Sequence, residues 1–426
     1  MIISLLSVTV ASLLDTLFIG RFGAEPLAAV GLGGVATFTV ISFGLAVFGA
    51  AKVKVGEALG RGDHGSVKRT LGVFLRLALP LSLVSLLVGC LVAFVVLPSF
   101  GGDPTTTRLA SEYTAIRSLS FPGVLIVAAV SNWLQGQSQP RAPMLAALIG
   151  TAVHVPFNAW FLFGLDGGVA GLAWATVLSQ LVETMCLLLL LGTGNFGIRA
   201  ASFAEAWWAF CVGLATGLER MLDMAAFAAV PVLLTQVGPV AVASHQITLQ
   251  LCHLSFLPLI AIGEGASILV SQAVGAGQHA LIWSVARTSL LLGVLYAAAL
   301  AALFLGARNV LVPLFTADPA VQHEGAMTLA FAATLQLINA PYNILKGVLR
   351  GLSVFRYVAQ VTVGVAWVVT PPLTYLIGVR LHYGAPGAWF VLCVEVSIGT
   401  ALLSHRLLKQ RAAPLSQTSD IQLVIK

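Results

Sequence analysis

The chain contains 426 residues, of which 58% are hydrophobic and only 9% charged, and its formal net charge at pH 7 is +6. Because soluble proteins carry about 25% charged residues, this composition excludes a water-soluble protein and predicts an all-α polytopic membrane protein. The basic residues and the five cysteines are scattered, without a basic cluster on a soluble segment or a CxxC motif, so nucleic-acid binding, a zinc site and a disulfide framework are not expected.

Apolar stretches long enough to cross a bilayer occur twelve times along the chain. A bilayer core about 30 Å thick needs about 20 residues of helix. The twelve predicted helices cover residues 1–20, 27–50, 71–97, 118–138, 144–164, 168–192, 206–235, 242–273, 282–305, 327–349, 355–378 and 385–408.

The connection after the sixth helix divides the chain into two predicted bundles. Residues 1–195 form an N-terminal six-helix bundle, 196–205 a cytoplasmic linker, 206–408 a C-terminal six-helix bundle and 409–426 a polar cytoplasmic tail. An even number of helices in each bundle gives both bundles the same orientation, related by an axis along the membrane normal.

An internal repeat supports this division. A shift of 215 residues places Gly23 on Gly238 and Gly62 on Gly277, and further along it places Gly136 on Gly351. A constant offset over more than a hundred residues indicates two pseudo-symmetric halves of one design. The carboxylates are not repeated, since Asp15 falls on a valine and Glu219 on a serine.

The basic residues predict the orientation of the chain. With a cytoplasmic N-terminus, 15 of the 22 Lys and Arg residues lie on the cytoplasmic side, 5 outside, and Arg76 and Arg220 within helices. This excess agrees with the positive-inside rule and predicts that both termini are cytoplasmic. Lys346 and Arg350 are counted among the cytoplasmic residues.

Four stretches carry a resemblance to a known family. LLDTLFIGRFGAEPLAAVGL at 13–32, FLFGLDGGVAGLAWATVLSQ at 161–180, GPVAVASHQI at 238–247 and GVLRGLSVFR at 347–356 resemble, in order, motifs of multidrug and toxic compound extrusion (MATE) transporters. In detail, these four stretches are most similar to those of the bacterial DNA-damage-inducible-type branch of the family. Two departures stand out: His154 and Asn158 occupy positions where members often carry Asn and an acidic or amide residue, and Asn339 replaces an Asp found in some members.

The resemblance implies a monomeric exporter in the bacterial inner membrane, with lipid as its surroundings and without a cofactor. It implies export of small organic, mainly cationic, compounds in exchange for H⁺ or Na⁺, by alternating access between the two bundles. A lipid-linked intermediate flippase or polysaccharide exporter of the same superfamily is the alternative. A membrane-embedded enzyme is less well supported, because no HExxH or GxSxG motif occurs.

The resemblance also assigns a coupling role to Asp15 in the first predicted helix. A charge inside a membrane helix costs roughly 2.5–3.5 kcal/mol by insertion scales, so each such residue needs a reason. The family has a carboxylate at the Asp15 position that is implicated in cation coupling, and its fold places His154 and Asn158 nearby. The competing interpretation is a carboxylate that only holds neighbouring helices together.

Glu219 and Asp223 are the second predicted ion-coupling site. They are one turn apart in the seventh predicted helix and therefore share a face. H⁺ and Na⁺ both remain open as the coupling ion at Asp15 and at this pair. The competing interpretation is a structural ion pair between Arg220 and Asp223.

Three further residues are predicted to line the cleft together with His154 and Asn158. Glu264 lies between two glycines in the eighth predicted helix, Gln246 follows His245 at its start, and Asn339 lies in the tenth. His245 itself is expected to pack the turn after Gly238. For Glu183 and Glu395 interior hydrogen bonding is the favoured interpretation.

Overall fold

The computed structural model describes residues 11, 14–16, 18–99, 103–192 and 202–412, and within these residues the structure is helical without a β-strand. The helices of twelve residues or more are α1 (Ala24–Val47), α2 (Gly49–Gly60), α3 (His64–Leu91), α4 (Pro104–Ser118), α5 (Phe121–Gly136), α6 (Arg141–Ala159), α7 (Gly168–Leu191), α8 (Phe203–Leu234), α9 (Pro239–Gly275), α10 (His279–Leu311), α11 (Pro319–Gly351), α12 (Phe355–Leu373) and α13 (Gly384–Ala412).

Within the described residues, eight helical segments are long and apolar enough to cross a membrane, and α4 with α5, bent by 46°, forms a ninth candidate. Helices α8 and α11, of 32 and 33 residues, are as long but carry more polar side chains. The first predicted helix is described only in part, and its residues 14–16 and 18–19 are helical. Together these segments agree with the predicted twelve-helix fold.

Several boundaries differ from the prediction. The second predicted helix, 27–50, continues as α2 to Gly60, so Lys52 lies inside a helix and is buried instead of lying in a cytoplasmic loop. Three helices end in π-helical turns, which hydropathy alone does not predict. These turns are Val92–Val96 after α3, Trp160–Gly164 after α6 and Thr374–Arg380 after α12.

The internal repeat is reproduced in the backbone. A Cβ atom added at Gly136 would lie 2.6 Å from the Lys52 carbonyl oxygen, and one added at Gly351 would lie 2.6 Å from that of Ser267. Both contacts are related by the 215-residue shift, and each joins the end of one helix to the middle of another, α5 to α2 and α11 to α9. The segment α1–α2 corresponds by the same shift to the single helix α9.

The chain divides into two compact units, residues 1–217 and 218–426, with the boundary inside α8. In the first unit, the Thr216 hydroxyl donates to the Ala46 carbonyl at 3.0 Å, which ties the middle of α8 to the end of α1. The core of the second unit is formed mainly by α9, α11 and α13, with Leu329, Ile344 and Trp389 almost fully buried. The predicted bundles 1–195 and 206–408 remain a prediction, because residues 193–201, which include most of the predicted linker 196–205, lie outside the described residues.

Candidate functional site

The first unit holds a buried polar cluster around Asp15, which is 8% exposed. His154 Nε2 lies 2.6 Å from Asp15 Oδ1, and Asn158 Nδ2 donates to the same oxygen at 2.7 Å. His154 and Asn158 are one turn apart on α6, so they present both nitrogen atoms from one helix face. The structure therefore brings these three predicted residues together.

Ser179 on α7 completes this cluster behind the histidine. Its hydroxyl oxygen lies 3.1 Å from His154 Nδ1, and its hydroxyl proton is donated to the Ala175 carbonyl at 2.6 Å. His154, Asn158 and Ser179 are all buried. Asn158 Oδ1 is also buried and has no hydrogen-bond partner within the described residues.

Helix α4 contributes an aromatic and a basic residue on the Asp15 side of the cluster. Tyr113 is buried within electrostatic reach of Asp15, and the Arg117 guanidinium lies 5.8 Å from the centre of the Tyr113 ring. Tyr113 is held against α1 at Gly33, where a Cβ atom would approach the Tyr113 ring to 2.6 Å. This close approach needs glycine and fixes the ring next to the cluster.

The second unit holds a different cluster around Glu219, which is 3% exposed. Glu219 Oε1 lies 2.8 Å from Arg350 Nη2 and 3.2 Å from Lys346 Nζ, both on α11. Glu219 Oε2 is buried without a partner within the described residues. Lys346 Nζ lies in addition 5.1 Å from the centre of the Tyr342 ring. One carboxylate oxygen of Glu219 thus forms ion pairs with two cationic side chains.

Asp223 lies one turn after Glu219 and is half-buried. Among the described residues it has no ion pair within 4 Å, so the Arg220–Asp223 pair that the sequence left open does not form, and Arg220 is exposed. Glu395 accepts a hydrogen bond from Thr370, which agrees with the favoured interior role.

The remaining predicted cleft residues are half-buried or exposed. Glu264 is half-buried beside Gly263, where a Cβ atom would lie 2.7 Å from the Asn343 carbonyl oxygen. Gln246 is exposed, and Asn339 accepts a hydrogen bond of 2.7 Å from Asn343. Their position in a cleft stays a prediction. His245 is fully buried and its Nδ1 accepts from Trp389 Nε1 at 3.1 Å, as expected of a packing residue.

The sequence profile of the MatE family matches residues 1–160 and 215–376, which is more than half of the chain and includes both polar clusters except Ser179. The chain belongs to the MatE family. The two matched ranges also agree with the two halves that the internal repeat defines.

Curated MatE relatives are similar over almost the whole length. The probable multidrug resistance protein NorM of Chromobacterium violaceum is 26% identical over 444 residues, covering 99% of this chain and 94% of NorM. The multidrug resistance protein MdtK of Yersinia pseudotuberculosis is 26% identical over 422 residues, covering 95% and 92%. MatE proteins are transporters, so the predictions of a multi-pass membrane transporter and of a protein that is not an enzyme are confirmed. The finer assignment to the DNA-damage-inducible-type branch stays a prediction.

Solved structures show the same fold at lower sequence identity. A MATE protein in complex with MaL6 superposes with a TM-score of 0.88 at 18% identity, covering 98% of this chain and 95% of the other. A MOP-superfamily transporter from Pyrococcus furiosus superposes with a TM-score of 0.85 at 17% identity, covering 98% and 94%. The MATE fold predicted for this MatE chain is therefore confirmed.

Three residues of the two clusters were not among the predicted site residues of this MatE protein. Ser179 is an uncharged residue in α7, whose only charged residue is Glu183. No pattern in the sequence therefore distinguished Ser179. Lys346 and Arg350 were assigned to the cytoplasmic side by charge bias, yet both pair with the buried Glu219. Their i, i+4 spacing on one helix face was a signal that they could share one acidic partner.

Proposed function

We propose that this protein is a multidrug efflux transporter that exports small organic compounds in exchange for inward-moving protons, by alternating access between its two halves. Membership of the MatE family supports the transport class, and the names of NorM and MdtK support a multidrug substrate range. We further propose that it works as a monomer in the bacterial inner membrane with both termini in the cytoplasm.

The observation that carries the choice of protons is the set of atoms around Asp15. Among the described residues, the two close contacts of Asp15 Oδ1 are nitrogen atoms, of His154 and of Asn158. Hard metal cations are bound by oxygen ligands, and an imidazole nitrogen is a poor substitute. A proton, in contrast, fits between a carboxylate and an imidazole. The cluster therefore favours H⁺ over Na⁺.

The charge balance of the second cluster bears on the cationic substrate. Glu219 is already neutralised by Lys346 and Arg350, so an organic cation at Glu219 would have to displace two tethered cations. Asp223 is half-buried and lies one turn away without an ion pair among the described residues. We propose Asp223 as the carboxylate that meets a cationic substrate, with Glu219 holding the helices around it.

The alternative, export of lipid-linked or polysaccharide intermediates, is supported by one observation. Such carriers need cationic groups for phosphates, and Lys346 and Arg350 lie inside the second unit on a single carboxylate. The carboxylates Asp223 and Glu395 near Lys346 oppose this assignment, because they offset the positive charge.

Everted membrane vesicles test the proposal. With an acidic interior generated by respiration, the wild type is expected to accumulate a fluorescent organic cation, and a protonophore should abolish this uptake while removal of Na⁺ should not. Asp15→Asn removes the carboxylate that would bind the proton and is expected to reduce uptake to the level of vesicles without the protein. Glu25→Gln, at an exposed carboxylate of α1, is the matched control and should transport normally. Uptake that follows a Na⁺ gradient, or an unaffected Asp15→Asn variant, would refute proton coupling at Asp15.

A further inference from the structure

We infer that Ser179 is a positioning residue which fixes the tautomer of His154, so that the contact between His154 and Asp15 exists only while a proton is bound there. This inference rests on the proposed proton coupling and deepens it, because it states how proton binding is linked to the packing of the helix that carries Asp15 against α6. It follows from the direction of each hydrogen bond in the cluster.

The serine hydroxyl determines which ring nitrogen carries hydrogen. A hydroxyl has one proton to donate, and Ser179 donates its proton to the Ala175 carbonyl at 2.6 Å. Toward His154 Nδ1, 3.1 Å away, Ser179 Oγ can only accept. Nδ1 must therefore carry hydrogen, and in a neutral imidazole with a protonated Nδ1 the other nitrogen, Nε2, presents a lone pair.

The consequence appears at the other side of the ring. Nε2 lies 2.6 Å from Asp15 Oδ1, a distance at which a lone pair and an ionised carboxylate repel each other. The contact is a hydrogen bond only if a proton resides on Nε2 or on the Asp15 carboxyl. Asn158 Nδ2 donates to Oδ1 at 2.7 Å and lies 3.1 Å from Nε2, but it does not remove the repulsion between Oδ1 and a Nε2 lone pair.

Loss of the proton would therefore separate Asp15 from His154. Asn158 would then be the remaining donor to Asp15 among the described contacts, and the first helix would be held less firmly against α6. Without the Ser179 hydroxyl, the tautomer of His154 would not be fixed. The imidazole could then place its hydrogen on Nε2, donate to ionised Asp15 and keep the contact without an extra proton.

Three further titratable or charged groups face the cluster. Tyr113 on α4 lies within electrostatic reach of Asp15, and the Arg117 guanidinium lies over the Tyr113 ring. Glu183 follows Ser179 by one turn on α7 and packs against Gly150 on α6, one turn before His154. None of these groups changes the direction of the Ser179 hydrogen bond, which the Ala175 carbonyl fixes.

The transport test uses Ser179→Ala with Ser179→Thr as the conservative control, since threonine keeps the hydroxyl. In everted vesicles, the pH midpoint of proton-driven uptake for Ser179→Ala is expected to move to lower pH by about one pH unit, the change that corresponds to one hydrogen bond. Ser179→Thr should keep the wild-type midpoint. An unchanged midpoint in Ser179→Ala, together with intact proton-driven uptake in the wild type, would overturn the positioning role and leave the proposed function standing.

A spectroscopic readout is independent of transport. In protein labelled with ¹⁵N-histidine, a ring nitrogen that carries hydrogen is distinguished from one that does not by its chemical shift, and His154→Gln identifies the His154 signals. The wild type should show a protonated Nδ1 at every pH, and Ser179→Ala should show a protonated Nε2 at high pH. A protonated Nδ1 in a wild type that lacks pH-driven uptake would refute the proposed function and keep the tautomer assignment. A protonated Nε2 with a bare Nδ1 in the wild type would overturn the assignment itself.

Discussion

The buried carboxylate of Glu219 binds two cationic side chains through only one of its two oxygen atoms. Both Lys346 and Arg350 bind Oε1, and Oε2 has no partner within the described residues. A buried ion pair contributes little net stability when complete, because its desolvation offsets the attraction, but removing one member leaves an uncompensated charge. The arrangement therefore makes Glu219 much more sensitive to substitution than either cation.

Replacing Glu219 by glutamine is expected to lower the free energy of unfolding by about 3 kcal/mol, because it leaves two half-buried cations without their carboxylate. Arg350→Met should cost clearly less, since Lys346 still neutralises Glu219. Thermal unfolding in detergent, followed by near-UV circular dichroism, measures both variants under identical conditions. A Glu219→Gln variant that is as stable as Arg350→Met would contradict this account of the cluster.

At the scale of residues, the sequence predicted those members of the clusters that differ from their surroundings in charge or in family motif. Asp15 is an acid in an apolar helix, and His154 and Asn158 replace family residues at known spacing. Ser179 is a small hydroxyl among many, and only its three-dimensional position behind the histidine gives it a role. Lys346 and Arg350 were visible as charges, but charge bias cannot tell a solvated lysine from one paired inside a helix bundle.

At the scale of helices, the two close contacts at Gly136 and Gly351, called here the glycine crossings, are the positions most sensitive to substitution. A methyl group at Gly351 would lie 2.6 Å from the Ser267 carbonyl oxygen and 2.9 Å from Val270 Cβ, both well inside contact distance. Because one neighbour is backbone, it cannot move aside as a flexible side chain can. The same geometry recurs at Gly136 against Lys52 and Val55.

Gly351→Ala is expected to destabilise the protein by about 1–3 kcal/mol, the usual cost of overpacking. Gly364→Ala, at an exposed glycine of α12 with no atom within 4 Å of the added Cβ, is the control. It should be neutral or stabilising, because alanine restricts the unfolded chain. Apparent Tm values in one detergent report both changes, and a Gly351→Ala protein that melts with the control would show that the crossing is looser than described.

Hydropathy predicted the number and order of the helices well, because a span of about 20 apolar residues is a strong requirement of the bilayer. It did not predict the extension to Gly60, the 46° bend between α4 and α5 or the π-helical turns. These features depend on packing against other helices. Local chemistry did mark some ends: Asp63 caps α3 through Ser66, and these hydrogen bonds lower the pKa of the Asp63 carboxyl.

For the molecule as a whole, the excess of basic residues on one side predicts the orientation in the membrane. It places the start of α3 in the cytoplasm and the start of α4 outside. His64 and Thr105 are exposed at these two positions and are suitable for cysteine labelling. The assignment matters for mechanism, because export driven by protons requires that they enter from the outer side.

A membrane-impermeant maleimide is expected to label Thr105→Cys in intact cells and His64→Cys only in everted vesicles. The wild type, with its five cysteines in apolar segments, gives the background in both preparations. Transport by each variant shows that the labelled protein is correctly inserted. Labelling of His64→Cys in intact cells would invert the orientation and, with it, the direction of proton movement that we propose.

The paired glycine crossings have a mechanical consequence for each half. Since α5 cannot slide past α2, nor α11 past α9, without a clash between backbone atoms, each of these pairs behaves as a stiff frame with a fixed register. The Asp15 cluster lies outside this frame, where a proton decides whether one contact holds. A stiff helix pair therefore occurs in each half, whereas the carboxylates Asp15 and Glu219 are not repeated. The movements that accompany transport are expected only outside these two helix pairs.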